Sequence, residues 1–219
     1  MAGHERGEVK MVITRKQVLL WLKRLQEVYD EHREQLTQLD AAIGDADHGI
    51  NMDRGFRKVA EKLPGLENRD IGGILREAGM ALIASVGGAS GPLYGTFFMK
   101  AAEWAAGRDI LDARAFAVIM RNGVEALKSR GKAQEGDKTM IDALEPAVRA
   151  LEDVAGKGGS PAECLRSAVR AAEAGMKATI PLVARRGRAS YLGERSAGHQ
   201  DPGATSSSLM IKALGDVVS

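Results

Sequence analysis

The chain has 219 residues, 44% of them hydrophobic and 27% charged, so it is long enough to bury one sizeable core. A formal net charge of +2 and an aromatic content of 4% argue against a nucleic-acid-binding surface. The single cysteine, Cys164, excludes an internal disulfide and fits a reducing compartment. We expect a cytoplasmic protein without a signal peptide or a membrane-spanning segment, because no apolar run is long enough for either.

Apolar residues recur at helical spacing along the chain, and no segment keeps the alternation typical of a strand. Eight helices are predicted. Their start or stop signals are, in chain order, Thr14 with Gln17, Pro64-Gly65, Asp70, Pro92, Asp112, Gly136-Asp137 with a kink at Pro146, Ser160-Pro161, and Pro202-Gly203. The prediction is therefore an all-α protein with a single domain over residues 14–219, preceded by a loosely ordered extension over residues 1–13.

Three aspartates, Asp40, Asp45 and Asp47, lie within eight residues in what the sequence indicates is a loop. Three carboxylates this close repel one another unless a cation lies between them. Oxygen ligands without thiolates or a histidine cluster favour Mg²⁺ or Ca²⁺ over zinc or copper. Glycines at Gly44 and Gly49 would let the backbone turn tightly enough for the carboxylates to converge. The cluster therefore predicts a metal site.

The aspartate cluster could also belong to an EF-hand or to a solvated Asx-turn ahead of a helix. In an EF-hand starting at Asp45, Ile50 would replace the glycine at position 6 and Phe56 the bidentate glutamate at position 12. The EF-hand therefore does not fit. The solvated turn remains open, although three aspartates with glycines between them favour the metal.

A second unusual segment is the run 86–92, Val-Gly-Gly-Ala-Ser-Gly-Pro. Small residues ahead of a helix expose N–H groups, and the helix dipole favours negative charge there, so such a run can hold a phosphate. Glycine-rich turns also connect helices that bind nothing, so the run alone is a weak indication. The sequence has neither a Walker A motif nor the paired-glycine dinucleotide motif, and a standard nucleotide-binding fold is not predicted.

Four stretches together resemble one family: 43–56 (IGDADHGINMDRGF), 85–98 (SVGGASGPLYGTFF), 136–140 (GDKTM) and 187–206 (GRASYLGERSAGHQDPGATS). The chain resembles the ADP-binding L subunit of the phosphoenolpyruvate-dependent dihydroxyacetone kinase, from about Thr14 to near the C-terminus. Four long motifs in the family's order are much more specific than any one loop.

The resemblance implies an antiparallel barrel of eight amphipathic helices with ADP and two Mg²⁺ ions at one end. It assigns the metal to Asp40, Asp45 and Asp47, and it gives Arg188 a place beside the transferring phosphoryl group. The nucleotide contacts that it implies are His48, Gly49, Ile50, Asn51, Ala89, Ser90, Gly131, Met140, Arg188, Asp201, Pro202 and Gly203.

The same resemblance implies partners and a reaction. ADP is a retained cofactor that a phosphohistidine-carrying M subunit of the phosphotransferase system converts to ATP. The γ-phosphoryl group then passes to dihydroxyacetone, which a separate K subunit holds. A self-sufficient kinase and a regulatory module that reports to a transcriptional regulator remain as alternatives, with no direct nucleic-acid contact in any case.

Some of these residues could equally have ordinary structural roles. His48 can equally cap its loop, and His199 can belong to a turn. Met140 would be core filler without the family resemblance. We expect Arg185 and Arg186 to be solvated.

Overall fold

The computed structural model describes residues 12–218, and α-helices dominate this part of the chain. Nine α-helices lie within it: α1 Arg15–Glu31, α2 Arg33–Ile43, α3 His48–Lys62, α4 Ile71–Ser85, α5 Ser90–Ala105, α6 Ala113–Gly131, α7 Ile141–Gly156, α8 Pro161–Ala178 and α9 Pro202–Val218. Two 3₁₀ segments, Leu63–Gly65 and Arg188–Ser196, also occur. The short strands β1 Ile13–Thr14 and β2 Ile110–Leu111 pair antiparallel. The predicted all-α class is confirmed.

The predicted capping signals form as the sequence indicates. The Thr14 side chain accepts the N–H of Gln17, and the glutamine side chain accepts the Thr14 N–H, which completes a capping box. Asp70 and Asp112 cap α4 and α6, and each side chain accepts the backbone N–H of the residue three positions later in the chain. Ser160 caps α8 in a second capping box. These starts depend on contacts within one helical turn, so local sequence suffices to predict them.

Helix α2 was not predicted from the sequence. Its residues are REQLTQLDAAI, and the three that are buried are Leu36, Asp40 and Ile43. An aspartate thus occupies a core-facing position that a periodicity argument expects to be apolar. As a result, the expectation that Asp40 belongs to a loop is wrong, because Asp40 lies in the last turn of α2.

The remaining eight helices contact one another in a closed ring. In order, α1, α3, α4, α5, α6, α7, α8 and α9 each contact the next, and α9 returns to α1, while α2 contacts α3 and α9. Short connections make α4 and α5, and likewise α7 and α8, antiparallel neighbours. The ring of eight agrees with the helix count that the resemblance implied, and the finer barrel geometry stays a prediction.

The helices bury one apolar face each in a continuous core. Tyr29, Phe56 and Phe98 lie in it, each fully buried, and Phe56 stacks at a tilt on Tyr29 with ring centroids 4.7 Å apart. Cys164 belongs to the same core, as expected of a small apolar side chain. Among the helices of residues 12–218, none has the length and apolar character needed to cross a membrane.

The N-terminal boundary differs from the predicted one. Of the extension predicted over residues 1–13, residues 1–11 lie outside the described residues. Ile13 is 1% exposed and pairs with Leu111 across the two strands, so it is part of the folded domain. The pairing fastens the start of α1 to the connection between α5 and α6.

Candidate functional site

A cavity of about 380 Å³ opens where several helix ends meet. A ligand pocket of this size is large enough for a small organic molecule. Its wall is formed by the last turns of α2 and α6, by the first turns of α3, α5, α7 and α9, and by residues of the connecting segments 44–47, 88–89, 138–140 and 186–189. The cavity therefore lies at one end of the helix ring, where backbone groups at helix termini are free to bind a ligand.

Asp40, Asp45 and Asp47 converge at this cavity. Each offers a carboxylate oxygen, and the three oxygens lie within 4.8 Å of one another. Asp40 is buried, Asp47 is half-buried and Asp45 is exposed. Because α3 begins at His48, three residues after Asp45, the loop is too short for the 12-residue EF-hand, which confirms that this alternative does not apply.

Asp40 has a second role, which the sequence did not show. Its Oδ2 accepts the backbone N–H groups of Asp47 at 2.9 Å and of His48 at 3.1 Å, so a side chain from α2 caps the start of α3. Gly44 makes room for this carboxylate, since a Cβ at position 44 would lie 2.0 Å from Asp40 Oδ1. The glycine is therefore required by close packing against Asp40, one of the predicted metal ligands.

Arg188 reaches the aspartate cluster from the opposite part of the sequence. Its Nη2 lies 2.9 Å from Asp45 Oδ2, and 66% of its side chain is exposed. Arg186 also lines the cavity and lies 3.8 Å from Asp137, whereas Arg185 lies outside the cavity wall. Both are exposed, as the sequence predicted. One of the three arginines, Arg188, thus contacts one of the predicted metal ligands, Asp45.

The first turn of α5 forms another part of the wall. Ala89 and Ser90 line the cavity, and the first backbone bond of the helix runs from the Leu93 N–H to the Ala89 carbonyl. The N–H groups of Ser90 and Gly91 therefore have no partner inside the helix. Such N–H groups at a helix N-terminus attract phosphate oxygens.

A buried polar network connects this turn to α3 and α9. The His48 ring contacts Ser90 Oγ at 3.1 Å through Nδ1 and Ser206 Oγ at 2.9 Å through Nε2. Ser206 Oγ also lies 2.6 Å from the Tyr94 hydroxyl, which contacts Ser207 Oγ at 2.8 Å. Burial lowers the pKa of His48, which favours the neutral ring that can both donate and accept.

The sequence interpretation of this region missed Tyr94, Ser206 and Ser207. All three lie within helices, and only the fold shows that their hydroxyls meet in one network with His48. Burial raises the pKa of Tyr94 to about 12, so its hydroxyl stays protonated and can donate a hydrogen bond. His48 is therefore fixed between two helices rather than merely capping its own loop.

The cavity also has an apolar wall. Met140 is 7% exposed, and it lines the cavity together with Gly131, Leu93, Leu127 and Ile141. Of these, the resemblance had indicated Met140 and Gly131. The other three look like ordinary core positions in the sequence, and only the fold places them at a cavity. An apolar wall beside a polar one suits a flat, weakly polar group such as a nucleobase attached to a charged group.

Asp201 lies at the start of α9, beside Pro202 and Gly203 in the cavity wall. Its Oδ2 accepts the N–H of Ala204 at 2.6 Å, which makes it the cap of the helix. Burial is the largest cause that raises the pKa of Asp201 to about 7. The Ala204 N–H and, to a lesser extent, Lys138 lower this pKa, whereas the neighbouring carboxylates Asp142 and Asp40 raise it. A carboxyl group with this pKa is partly protonated near neutral pH.

The raised pKa of Asp201 predicts a pH-dependent free energy of unfolding. Folding raises this pKa above its ordinary value of about 4, so the contribution is present at low pH and is lost between about pH 4 and pH 7. Asp201→Asn keeps a cap that stays neutral. Without metal and nucleotide, the free energy of unfolding of the variant should therefore rise relative to that of wild type, by a few kcal/mol at most, as the pH increases from about 4 to about 7. Urea unfolding at several pH values measures the difference, and parallel curves for the two proteins would contradict the shift.

Three predicted contacts lie outside the cavity wall. Ile50 is 51% exposed, and Asn51 Oδ1 accepts an N–H of Arg54 at 2.6 Å. Gly49 faces α2, because a Cβ there would lie 2.0 Å from the Arg33 carbonyl oxygen. The cavity lining includes the other predicted residues: Asp40, Asp45, Asp47, His48, Ala89, Ser90, Gly131, Met140, Arg188, Asp201, Pro202 and Gly203. Nucleotide contact by Gly49, Ile50 and Asn51 stays a prediction.

Comparison with known families identifies the family of this chain. The DAK2 domain family matches residues 42–216, which include Asp45 and Asp47 of the aspartate cluster, the first turn of α5 and the start of α9. This chain belongs to the DAK2 domain family. The match confirms the family relationship that the four sequence motifs had indicated.

Relatives within the DAK2 family include several kinase subunits. The chain is 49% identical over 204 residues to the ADP-binding subunit DhaL of the PEP-dependent dihydroxyacetone kinase of Escherichia coli, covering 93% of this chain and 97% of that protein. It is 43% identical over 195 residues to a DhaL subunit of Listeria innocua, covering 88% and 90%. It is 33% identical over 204 residues to human triokinase/FMN cyclase, of which it spans 35%.

Solved structures of DAK2 relatives have the same fold. The dihydroxyacetone kinase of C. freundii matches with a TM-score of 0.72 at 25% sequence identity, over 99% of this chain and 37% of that one. The same kinase in complex with AMP-PNP and Mg²⁺ matches with a TM-score of 0.68 at 26% identity, over 99% and 36%. This DAK2 chain thus corresponds to about a third of that kinase.

Proposed function

We propose that this chain is the ADP-binding subunit of a phosphoenolpyruvate-dependent dihydroxyacetone kinase. The observation that carries the proposal is the cavity in which three carboxylates, the start of α5 and Arg188 meet. Its 49% identity to a subunit of that name over most of both chains supports the same function. The domain of residues 14–219 would act in the cytoplasm as one nucleotide-binding unit.

The residues of the aspartate cluster fit magnesium. Their donor set consists of carboxylate oxygens, which Mg²⁺ prefers, and the three oxygens are close enough to share ions. Asp40 is the most firmly held, because it also binds two backbone N–H groups of α3. We propose that Asp40, Asp45 and Asp47 hold two Mg²⁺ ions, which when bound offset the negative charge of the nucleotide phosphates.

The other wall residues would hold and orient the nucleotide. The free N–H groups of Ser90 and Gly91 would bind phosphate oxygens, and His48 would fix the Ser90 hydroxyl through its 3.1 Å contact. Met140 and Gly131 would contact the adenine on the apolar wall. Arg188 would add positive charge beside the transferring group, which is the main requirement of phosphoryl transfer besides alignment.

The reaction would need two further subunits. We propose that a phosphohistidine-carrying M subunit of the phosphotransferase system phosphorylates the bound ADP, and that a K subunit presents dihydroxyacetone to the resulting ATP. This chain spans about a third of the C. freundii kinase, which leaves most of that protein's length without a counterpart here. Contact with a transcriptional regulator would be a separate role, and a pull-down can identify it.

The isolated chain should therefore not act as a kinase. With ATP and dihydroxyacetone alone we expect no dihydroxyacetone phosphate above background. Addition of the K subunit should give at most about one product per bound nucleotide, and continuous turnover should need the phosphohistidine donor, because transfer depends on alignment by the partners. An enzyme-coupled assay of the product measures this.

Two results would separate this proposal from its alternatives. Continuous turnover by the isolated chain on free ATP would replace the subunit by a self-sufficient kinase. Mass spectrometry of the nucleotide that co-purifies with the chain should find ADP or ATP at close to one per chain, since the relatives bear the name ADP-binding subunit. A preparation that binds neither nucleotide would overturn the proposal.

A further inference from the structure

Lys138 is a buried lysine whose ammonium group is surrounded by backbone carbonyls. It is 1% exposed, and Nζ donates to the carbonyl oxygens of Thr179 at 2.8 Å, Leu182 at 3.1 Å and Ile180 at 3.4 Å, and also to that of His199. Lysine is almost never fully buried unless its charge is compensated. Here four carbonyl dipoles surround the charge, and within residues 12–218 no carboxylate forms an ion pair with it.

The loop that carries Lys138 is built to place this side chain. Its backbone φ is +61°, a left-handed value that costs a non-glycine residue roughly 1–2 kcal/mol. Asp142 holds the loop from both sides, accepting the N–H of Gly136 at 2.6 Å and of Thr139 at 2.7 Å. A strained conformation that neighbouring bonds fix in this way indicates a required position of the side chain.

The four carbonyls belong to a segment that folds back on itself. Between residues 179 and 201, the Gly198 N–H donates to the Ile180 carbonyl at 2.8 Å, and the Asp201 N–H donates to Thr179 Oγ1 at 3.0 Å. Arg188 lies within this segment, and Asp201 lies at its end. The ammonium group of Lys138 therefore holds together the two ends of the segment that brings Arg188 and Asp201 to the cavity.

We propose that the Lys138 ammonium replaces a bound monovalent cation, and that this carbonyl cage fastens the segment 179–201 to the wall of the nucleotide cavity. In potassium channels, rings of backbone carbonyls bind K⁺ in preference to the smaller Na⁺. Because four carbonyl oxygens surround a group with only three protons, they cannot each receive a separate hydrogen bond. Such a shell of oxygens is suited to a spherical cation. Lys138 is thus a positioning residue for Arg188, in addition to any contact with the nucleotide.

The charged form of Lys138 is consistent with its surroundings. All four contacts are hydrogen-bond acceptors, so loss of a proton would leave only two N–H groups for four carbonyls and would place a lone pair among them. Burial lowers the pKa of Lys138, while Asp201 and Asp142 raise it. The two aspartates therefore favour the ammonium form and oppose the effect of burial.

Removal of the side chain should create a cation-dependent protein. Lys138→Ala empties the cage, and we expect its melting temperature in tetramethylammonium chloride to fall well below that of wild type. KCl or NH₄Cl at the same ionic strength should restore most of the loss, because a small cation can occupy the four carbonyls. For wild type, and likewise for the control Lys16→Ala at an exposed lysine, the melting temperature should be the same in all three salts.

A second variant distinguishes cation binding from lost packing. Lys138→Met keeps most of the side-chain volume without a charge, so it should be destabilised and should not respond to K⁺. Equal melting temperatures of Lys138→Ala in KCl and tetramethylammonium chloride would overturn the proposal. So would a Lys138→Met variant that responds to K⁺ as strongly as Lys138→Ala does.

The link to the nucleotide site has its own readout. The cage requires no nucleotide, whereas its role at the cavity rests on the proposed function. ADP affinity of Lys138→Ala should fall roughly tenfold or more without K⁺ and should recover with it. If wild type binds no ADP, the proposed function fails and the melting experiment still decides the cage. If ADP affinity ignores the cation while stability follows it, the positioning role is overturned.

A measurement on wild type covers the case in which both variants fail to fold. In lysine-labelled protein, one side-chain ammonium signal should exchange its protons with water far more slowly than the others and should show contacts to Thr179 and Leu182. A Lys138 amine that exchanges as fast as Lys16 would contradict the cage.

Discussion

Asp45→Asn and Asp47→Asn should each abolish the stabilisation of the protein by Mg²⁺ and ADP. Each change removes one charge from the cluster and keeps the side-chain shape, and neither carboxylate carries the helix cap that Asp40 provides. A ligand at 100 to 1,000 times its dissociation constant stabilises a protein by about 3–4 kcal/mol, or about 5–15 °C in melting temperature for a chain of this size. We expect this shift in wild type and its loss in both variants, by thermal unfolding with and without EDTA.

The matched control for these two changes is Asp153→Asn. Asp153 is an exposed aspartate on α7 that pairs with Lys157 at 2.6 Å, outside the cavity wall. This variant should keep the full shift with Mg²⁺ and ADP. Equal ADP affinity of wild type in EDTA and in Mg²⁺ would show that the cluster is a solvated turn, which is the alternative that the sequence left open.

Arg188→Ala should slow phosphoryl transfer roughly 100- to 1,000-fold, as loss of one charge-stabilising donor does in other enzymes. ADP retention should change much less, because 66% of the side chain is exposed and an ion pair of this kind contributes little to binding. Charge stabilisation by Arg188 matters most along the reaction path, so the rate and the affinity should separate. A reconstituted transfer assay together with ADP titration measures both quantities.

Arg185→Ala is the control for Arg188. Arg185 is three residues away and exposed, and it lies outside the cavity wall, so its removal should change the transfer rate little. If the two variants behave alike, Arg188 does not act in transfer. If Arg188→Ala loses ADP as strongly as it loses activity, its role is binding and not charge stabilisation during transfer.

The sequence was sufficient for features that depend on neighbouring residues. The capping boxes at Thr14 and Ser160 form as predicted, because their hydrogen bonds join residues three apart. The three aspartates could be recognised as a metal-type cluster because all of them fall within one short stretch of sequence. By contrast, α2 was missed, since the charged Asp40 occupies one of its three buried positions and interrupts the apolar face.

Sequence alone thus determined the all-α class, most helix starts and the residue types of the site, and the four motifs indicated the family. The tertiary structure decided which of these residues meet. His48 contacts Ser206 across 158 positions and the Lys138 ammonium contacts the His199 carbonyl across 61, whereas the cap that Asp70 provides spans three. Burial also depends on the fold, and it is the largest cause that raises the pKa of Asp201 to about 7. Local patterns cannot specify such contacts, because they arise only when the ring of helices closes and brings helix ends together.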